Sequence, residues 1–444
     1  MGARLEANDR VATIPEPIRT NQSMSGNREI KGFWWVPEHS ESRWFGTLTL
    51  EPDQSPKLEL IIERQGWTDP IPPQPGRVIH GVNEHGKPVT LLFLGKPSEQ
   101  LNGVILRRTF LAGHALIGTH LPTADCFAAQ SIWFKTHCLY SWLNRSGFDR
   151  GTTRTARSLS IRYDQPDDEW FSVSSDLELG IHTTYTTNSG FQEERIREDA
   201  AVTFRSKSDL SFARCRKLIG RMRALLHFAS LEPVYPVCIA AQLRQTRGEQ
   251  APDSTFQSVE VWNGGLRRAE EAFRQPEQWT FRYEDVRGDF GGFIRQWLEF
   301  TDKYEEALGS YACTVYHPLT WELQHLSLTQ ALDAYHGVKF NSHHEQDFRA
   351  KLEALIKLHS LALNGLIDDE TDFADRVICT RNYYTHHNPK WLMKGKVAKD
   401  IELFRMNEKL RLLFQACVLA DLNIPADRFH RLRRQLATEI VSYE

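Results

Sequence analysis

Long apolar runs, paired cysteine motifs, phosphate-cradling glycine loops and a strong net charge are all missing from this sequence. No stretch approaches the roughly 18 apolar residues that a membrane-spanning helix needs, so a membrane partner is not expected. Lys and Arg total 54 against 57 Asp and Glu, a formal net charge of -3. That balance excludes bulk electrostatic coating of nucleic acid or membrane and leaves only local basic patches for any such contact. The 7 cysteines (Cys126, Cys138, Cys215, Cys238, Cys313, Cys379 and Cys417) are odd in number and include no C-x-x-C pair. They read as reduced thiols in a reducing compartment. Without a Walker or Rossmann glycine loop, NTP hydrolysis and dinucleotide chemistry are set aside and no cofactor is expected. The polar opening stretch lacks the apolar core of a signal peptide, so the expected location is the cytoplasm.

What is present is an ordinary globular composition, 41% hydrophobic and 25% charged over 444 residues, enough for two or three domains. Residues 1–28 are polar and without periodicity, and are read as a mobile lead-in. From Gly32 short β-rich runs separated by turn residues follow: Trp44–Leu50, Lys57–Ile62, Val89–Leu94, Gly103–Phe110, Ser131–Phe134, Leu159–Tyr163, Gly180–Thr187 and Ala201–Arg205. Leu210–Phe228 carries apolar residues at helical spacing, and strand-like Val234–Leu243 and Ser258–Trp262 follow around a polar loop at Gln245–Ser254. From about Phe290 the text is helical: Phe293–Leu308, Trp321–His336, Glu345–Leu363, Thr371–His387, Val397–Leu422 and a basic Pro425–Ala437, joined by short Gly- or Pro-bearing links. The expected fold class is therefore α+β in two domains. A β-rich, sandwich-like and mostly antiparallel domain over residues 29–284 precedes an all-α bundle over residues 285–444.

The chemistry concentrates in Thr371–Pro389. Projected at about 100° per residue, Phe373, Val377 and Tyr384 form a core-facing arc, whereas Asp375, Cys379, Asn382 and His386 lie on a nearly opposite one. Arg381 falls between the arcs, about 140° from His386, and reaches the same phosphate only by virtue of its length and of a helix loosening before Pro389. These residue types suit metal-free phosphodiester cleavage. A histidine takes the proton of a ribose 2′-hydroxyl or gives one to the leaving 5′-oxygen. An arginine pairs with the non-bridging oxygens, and Asn382 orients the imidazole or holds the phosphate. One helix supplies one such histidine unless His387 helps, and two copies across a two-fold axis would supply acid and base together. Arg-x4-His is a loose pattern. On spacing alone the bland reading is preferred, a helix C-terminus whose cations offset the dipole.

Arg381-Asn382-Tyr383-Tyr384-Thr385-His386 resembles the R-N-x-x-x-H motif of HEPN domains. The upstream helix Leu323–His336 resembles the matching helix of ApeA-like HEPN proteins. Gly32-Phe33-Trp34-Trp35-Val36-Pro37, followed by Gly46–Leu50, resembles the opening of the ApeA N-terminal domain. The resemblance covers nearly the whole chain after residue 28. It implies an anti-phage abortive-infection protein with an N-terminal sensing or regulatory domain answering a phage-derived trigger. Its C-terminal endoribonuclease would be dimeric and metal-independent, cleaving RNA, often tRNA, to a 2′,3′-cyclic phosphate. The site residues it carries over are Arg381, Asn382 and His386. The alternative is a HEPN module that binds a nucleotide, RNA or protein without cutting.

Beside the motif, Lys390, Trp391, Lys394, Lys396 and Lys399 are read either as an RNA platform or as a solvated loop. The terminal Arg428, His430, Arg431, Arg433 and Arg434 form a basic helix for RNA or for acidic neighbours. Glu322, Asp333 and His336 are read either as lining the site, on a helix beside it, or as solvent-exposed, and the second reading is preferred. His343, His344 and Glu345 lack ligand spacing, so no metal is expected there. Trp34, Trp35, Trp44 and Trp67 are read as β packing rather than as a ligand platform.

Overall fold

Alternating inward and outward side chains build the first half of the chain. In β2 (Trp44–Leu50) Leu48 and Leu50 point inward, and in the following strand Leu58, Leu60 and Ile62 do the same. The structure, a computed structural model, describes residues 27–63, 78–149, 161–189, 194–244, 256–267, 279–341, 347–363, 365–367 and 369–425. Six strands close into an antiparallel barrel: β1 (Arg28–Trp35), β2, β3 (Lys57–Glu63), β4 (Val78–Asn83), β5 (Pro88–Leu94) and β7 (Ile105–Ile117), with β6 (Ser98–Asn102) added along the first half of β7. Closure comes from β7, whose first half pairs with β3 on one edge and whose second half pairs with β5 on the other. Trp34 lies inside this barrel, its indole nitrogen donating to the Gly46 carbonyl at 3.1 Å. Gly81 is required opposite it, because a Cβ there would enter the Trp34 ring.

The end of β7 also pairs with β13 (Phe256–Asn263), which begins a second antiparallel sheet. It runs on through β12 (Pro236–Arg244), β8 (Ala129–Thr136), β11 (Glu194–Leu210), β10 (Leu177–Ser189) and β9 (Glu169–Ser172). Thus the expected antiparallel, β-rich domain takes the form of a barrel and a twisted sheet sharing one long strand. Of the expected strand Leu159–Tyr163, the described part, residues 161–163, is not a strand. Residues 159 and 160 lie outside the described residues, and Tyr163 makes only an isolated bridge to Phe148. Trp67, the loop 245–254 and most of the lead-in 1–28 also lie outside them, although Arg28 already belongs to β1.

A short helix α1 (Leu139–Leu143) and the long α2 (Phe212–Ser230) cover the sheet. The helical half then runs through α3 (Tyr283–Val286), α4 (Phe290–Lys303), α5 (Glu305–Tyr316), α6 (Trp321–Phe340), α7 (Phe348–Leu358), α8 (Ser360–Leu363), α9 (Glu370–His386), α10 (Pro389–Leu392) and α11 (Asp400–Asp421). Two expected helices divide. The run from Phe293 breaks at Tyr304, whose ring stacks on Tyr335 at 5.0 Å, and α5 continues to Tyr316. The other breaks at His359, between α7 and α8. The final basic helix, residues 425–437, lies beyond the described residues apart from Pro425.

Among the described residues one buried cluster runs through both halves. Trp142 donates to the Phe281 carbonyl at 3.2 Å and Arg295 to the Val173 carbonyl at 2.7 Å. Phe228 of α2 stacks on Tyr311 of α5, which stacks on Phe414 of α11, with centroids 5.5 and 4.7 Å apart. A hydrogen-bond relay accompanies the stack. His227 Nδ1 lies 2.8 Å from the Glu232 carbonyl, which only accepts, so Nδ1 donates. Burial pushes His227 down to about 3 and keeps it neutral, so Nε2 accepts from the Tyr311 hydroxyl at 2.9 Å. That hydroxyl in turn accepts from Gln415 Nε2 at 2.8 Å. Tyr311→Phe keeps the ring but strands His227 and Gln415. It is expected to lower stability by about 1–3 kcal/mol. Urea unfolding at pH 7 reads this as a lower midpoint, and an unchanged midpoint would show that the relay holds nothing.

Candidate functional site

The candidate site is set by how α9 begins, packs and ends. Asp369 caps its start, accepting from the Thr371 and Asp372 amides at 2.9 Å each. Phe373, Ala374, Val377 and Thr380 are buried, and the Thr380 hydroxyl accepts from the Ala398 amide at 3.0 Å. The half-buried Tyr384 donates to the Ala398 carbonyl at 3.3 Å. A cross-brace comes from His325 of α6, whose Nδ1 lies 3.0 Å from Asn407 Oδ1 of α11 and whose Nε2 faces the Val377 carbonyl at 3.4 Å. The Asn407 amide donates to the Trp321 carbonyl at 2.8 Å, which turns its oxygen toward the imidazole. At the far end His387 takes the left-handed conformation (φ 47°), its amide donating back to the Tyr383 carbonyl. Asn388 then caps α10, so the chain turns away directly after His386.

Arg381, Asn382 and His386 therefore sit on the last two turns of α9. Asn382 is half-buried and His386 exposed, and among the described residues neither side chain has a hydrogen-bond or ion-pair partner. Arg381 is placed differently. Its guanidinium lies 4.8 Å over the Phe348 ring of α7, with one nitrogen 3.9 Å from Asp333 Oδ2 of α6. The other oxygen of Asp333 receives Lys351 at 2.8 Å. No hydrogen bond or ion pair joins Arg381 to Asn382 or His386 among the described residues.

Several expected positions are corrected. Cys379 was placed on the polar arc but is buried, because α7 covers that side of α9. Asp375, on the same arc, is held by Arg349 of α7 and by Lys396, the latter at 3.0 Å. Lys396 also binds Asp372 at 3.0 Å, so it is occupied within the fold. His336, read as exposed, is buried beside Phe340, and burial lowers its pKa. Asp333, also read as exposed, is half-buried as the counter-ion of Lys351 and Arg381. Sequence reading missed Lys351, Phe348 and Arg349 altogether, since the tertiary approach of α7 to α9 leaves no signal at the motif.

Two cations flank one aromatic past the helix end. Lys394 and Lys390 lie 4.3 and 5.2 Å from the Trp391 ring centre, and Lys399 lies 5.8 Å from that of Tyr383. His387 meets Tyr383 edge-on at 5.9 Å. Arg428, His430, Arg431, Arg433 and Arg434, like His343, His344 and Glu345, lie outside the described residues. Among the described residues no cluster of three or more His, Cys, Asp or Glu could hold a metal, and no helix is long and apolar enough to cross a membrane.

A family model described as ApeA N-terminal domain 1 matches residues 29–297, and one described as Apea-like HEPN matches residues 326–428. The second match contains α9 and its motif. No curated protein and no solved structure matches the chain.

The His325 brace carries a pH signature. Burial, helped by the nearby Arg381, pushes it down to about 4 from 6.5, against its two hydrogen bonds. The unfolded chain takes up this proton below about 6.5 and the folded chain only near 4. The contribution to stability is therefore complete above 6.5 and is lost as pH falls toward 4, by at most about 1.4 kcal/mol per pH unit. In His325→Gln the fall of urea stability between pH 6.5 and 4.5 should be shallower by up to that slope. A slope equal to the parent's would remove His325 from the acid response.

Proposed function

The chain belongs to the ApeA family, with an ApeA N-terminal domain followed by an Apea-like HEPN domain, and from that premise we propose that it is an anti-phage endoribonuclease cutting RNA at the C-terminal end of α9. The observation that carries this reading is the unpartnered polar pair Asn382 and His386, four residues apart at a helix end that the rest of the fold braces from within. Side chains needed for packing are buried there, and side chains that serve no packing face outward.

In this reading a ribose 2′-oxygen attacks the adjacent phosphorus as His386 removes its proton. The P–O5′ bond breaks, the 5′-oxygen takes a proton, and a 2′,3′-cyclic phosphate remains. Arg381 supports the charge that builds on the non-bridging oxygens. Its present pairing with Asp333 is long and half-exposed, worth roughly 0–1 kcal/mol, so a phosphate displaces it at small cost. Asn382 orients the imidazole or the phosphate. The second histidine comes from a second copy, which makes the working form a homodimer. Trp391 with Lys390 and Lys394 offers a stacking face with phosphate cations for neighbouring nucleotides, and the substrate proposed is tRNA. The N-terminal domain restrains cleavage until a phage-derived trigger arrives. His387 has a structural duty as the helix cap, and Asp375 acts through its ion pairs.

Arg381→Ala and His386→Ala should each reduce cleavage by about 10²–10⁴-fold while leaving the unfolding midpoint unchanged. Products are read as 5′-hydroxyl and cyclic-phosphate ends by sequencing of cleavage sites, with and without EDTA. Variants that still protect cells against phage would replace catalysis with the non-cutting binding module. Loss of cleavage in EDTA would end the metal-free mechanism.

A further inference from the structure

A cleft of about 680 Å³ lies between α2 and the sheet where barrel and second sheet meet. Its helical wall is one stripe of α2, Phe212, Arg216, Gly220 and Arg223, spaced so that all four share a face. Opposite lie His114 of β7 and the turn Asn263–Gly265 after β13. Among the described residues three cations, Arg216, Lys217 and Arg223, line the cleft and no carboxylate does. Lys217 is neutralised by Asp302 at 2.9 Å and Glu305 at 3.5 Å. Arg216 has no ion-pair partner among the described residues. Arg223 is held at the edge of the cleft: its Nε donates to the Val234 carbonyl at 2.9 Å and its guanidinium lies 4.8 Å from the Tyr316 ring and 5.5 Å from the Tyr235 ring.

The second observation is an unsatisfied donor or acceptor at the same place. His114 is only 8% exposed, and its Nδ1 makes no hydrogen bond. The ring is fixed edge-on to Phe212 at 4.9 Å, so it cannot turn away freely. Burial, with Arg216 adding to it, pushes His114 down to about 4, which leaves it neutral. A buried imidazole nitrogen without a partner costs about 1–3 kcal/mol, and Nδ1 is closed to a water-sized atom in this arrangement. Gly220 adds to the case. A glycine in a helix interior costs about 1 kcal/mol relative to alanine, and a Cβ here would meet nothing within 4 Å. Space, not crowding, is what this position provides.

We propose that the cleft is a binding site for a nucleoside phosphate. Arg216 and Arg223 take the phosphate, two of whose tetrahedrally arranged oxygens a planar guanidinium can meet with parallel N–H donors. Phe127 and Phe212, with Ile219 and Ile239, give the apolar wall that a base requires. The volume lies within the range of small-ligand pockets, about 300–1,000 Å³, and is too small for a folded RNA. Without a Walker loop the site holds its ligand rather than hydrolysing it.

The helix that lines the cleft is the one that docks the helical half. Next to Gly220, Arg221 binds Asp302, and its carbonyl accepts from Trp297 Nε1 at 2.9 Å. Two turns further on, His227 and Phe228 engage Tyr311. Occupancy of the cleft therefore bears on the seam between the halves. That consequence, unlike the site itself, rests on the nuclease reading of α9.

Calorimetric titration of the full chain with ATP, GTP, CTP and UTP, with adenosine and with inorganic phosphate tests the proposal. The His386→Ala protein is titrated as well, so that any binding at α9 is separated. At least one triphosphate should saturate one site per chain, equally in the parent and in His386→Ala. Adenosine and inorganic phosphate should bind at least tenfold more weakly. Arg216→Glu, at an exposed position, and Gly220→Leu, which fills open space, should each weaken binding by at least tenfold, whereas Lys57→Glu on the barrel should not. Absence of binding below about 1 mM, equal binding of inorganic phosphate, or binding indifferent to both cleft substitutions would overturn it. The readout is heat of binding, so its failure leaves the cleavage reading standing, and loss of cleavage in His386→Ala leaves the cleft standing.

Discussion

Tyr311 is the point on which the two halves of the molecule depend. Its ring lies between Phe228 and Phe414, and its hydroxyl lies between His227 and Gln415, so one residue of α5 carries both the stack and the relay across the seam. Stacked rings confer area but tolerate sliding. Hydrogen bonds confer direction, and a relay with one donor and one acceptor at the hydroxyl has a single satisfied arrangement. The pair together defines how α2 sits on α5 and α11. Because α11 also holds Asn407, which meets His325 behind α9, the seam and the candidate site share one helix.

α9 shows how a helix serves packing and chemistry at once. Along its first three turns it is enclosed on more than one side, by α6, α7 and the approach to α11, and even the arc carrying Asp375 and Cys379 is used up. Only the last two turns outrun their neighbours. The polar residues are available there because the helix ends, through the His387 cap and the Asn388 turn, before another element covers them. Arg381 stands at the border. Phe348 and Asp333 hold its head toward α7 and α6, so it joins Asn382 and His386 only by exchanging a weak intramolecular anion for a stronger one.

Local features were legible in the sequence where they are local in cause. Trp44–Leu50 alternates cleanly and is β2 to the residue, and Trp321 opens α6 as read, because periodicity and turn residues act over a few positions. Closure of the barrel was not legible, since β3 and β7 meet across intervening strands and each alone reads as an ordinary strand. β6 escaped because all five of its residues are exposed and show no alternation. The break at Tyr304 is tertiary, a ring drawn into the core against Tyr335. At the site the motif residues could be named from type and order, whereas Asp333, Lys351 and Phe348 enter from other helices. The cleft residues come from α2, β7 and a turn after β13, a grouping that only the fold creates.

The shared core also constrains how regulation can work. Were the N-terminal domain a separate body on a linker, restraint would mean covering the site, and removing the domain would release it. Here α4 and α5 pack against α2, and residues such as Phe290, Trp297 and Tyr311, which meet Trp142 and Phe228, would be left facing water if the first half were cut away. Loss of activity on truncation would then report unfolding, not control. A signal compatible with this architecture leaves the seam intact and changes its register. A rigid helix does this well, because displacement at one end is displacement at the other. α2 spans the interval from the cationic cleft at Arg216 to the Tyr311 relay at His227, so the proposed control by the β-rich half would run through it to the helices behind α9.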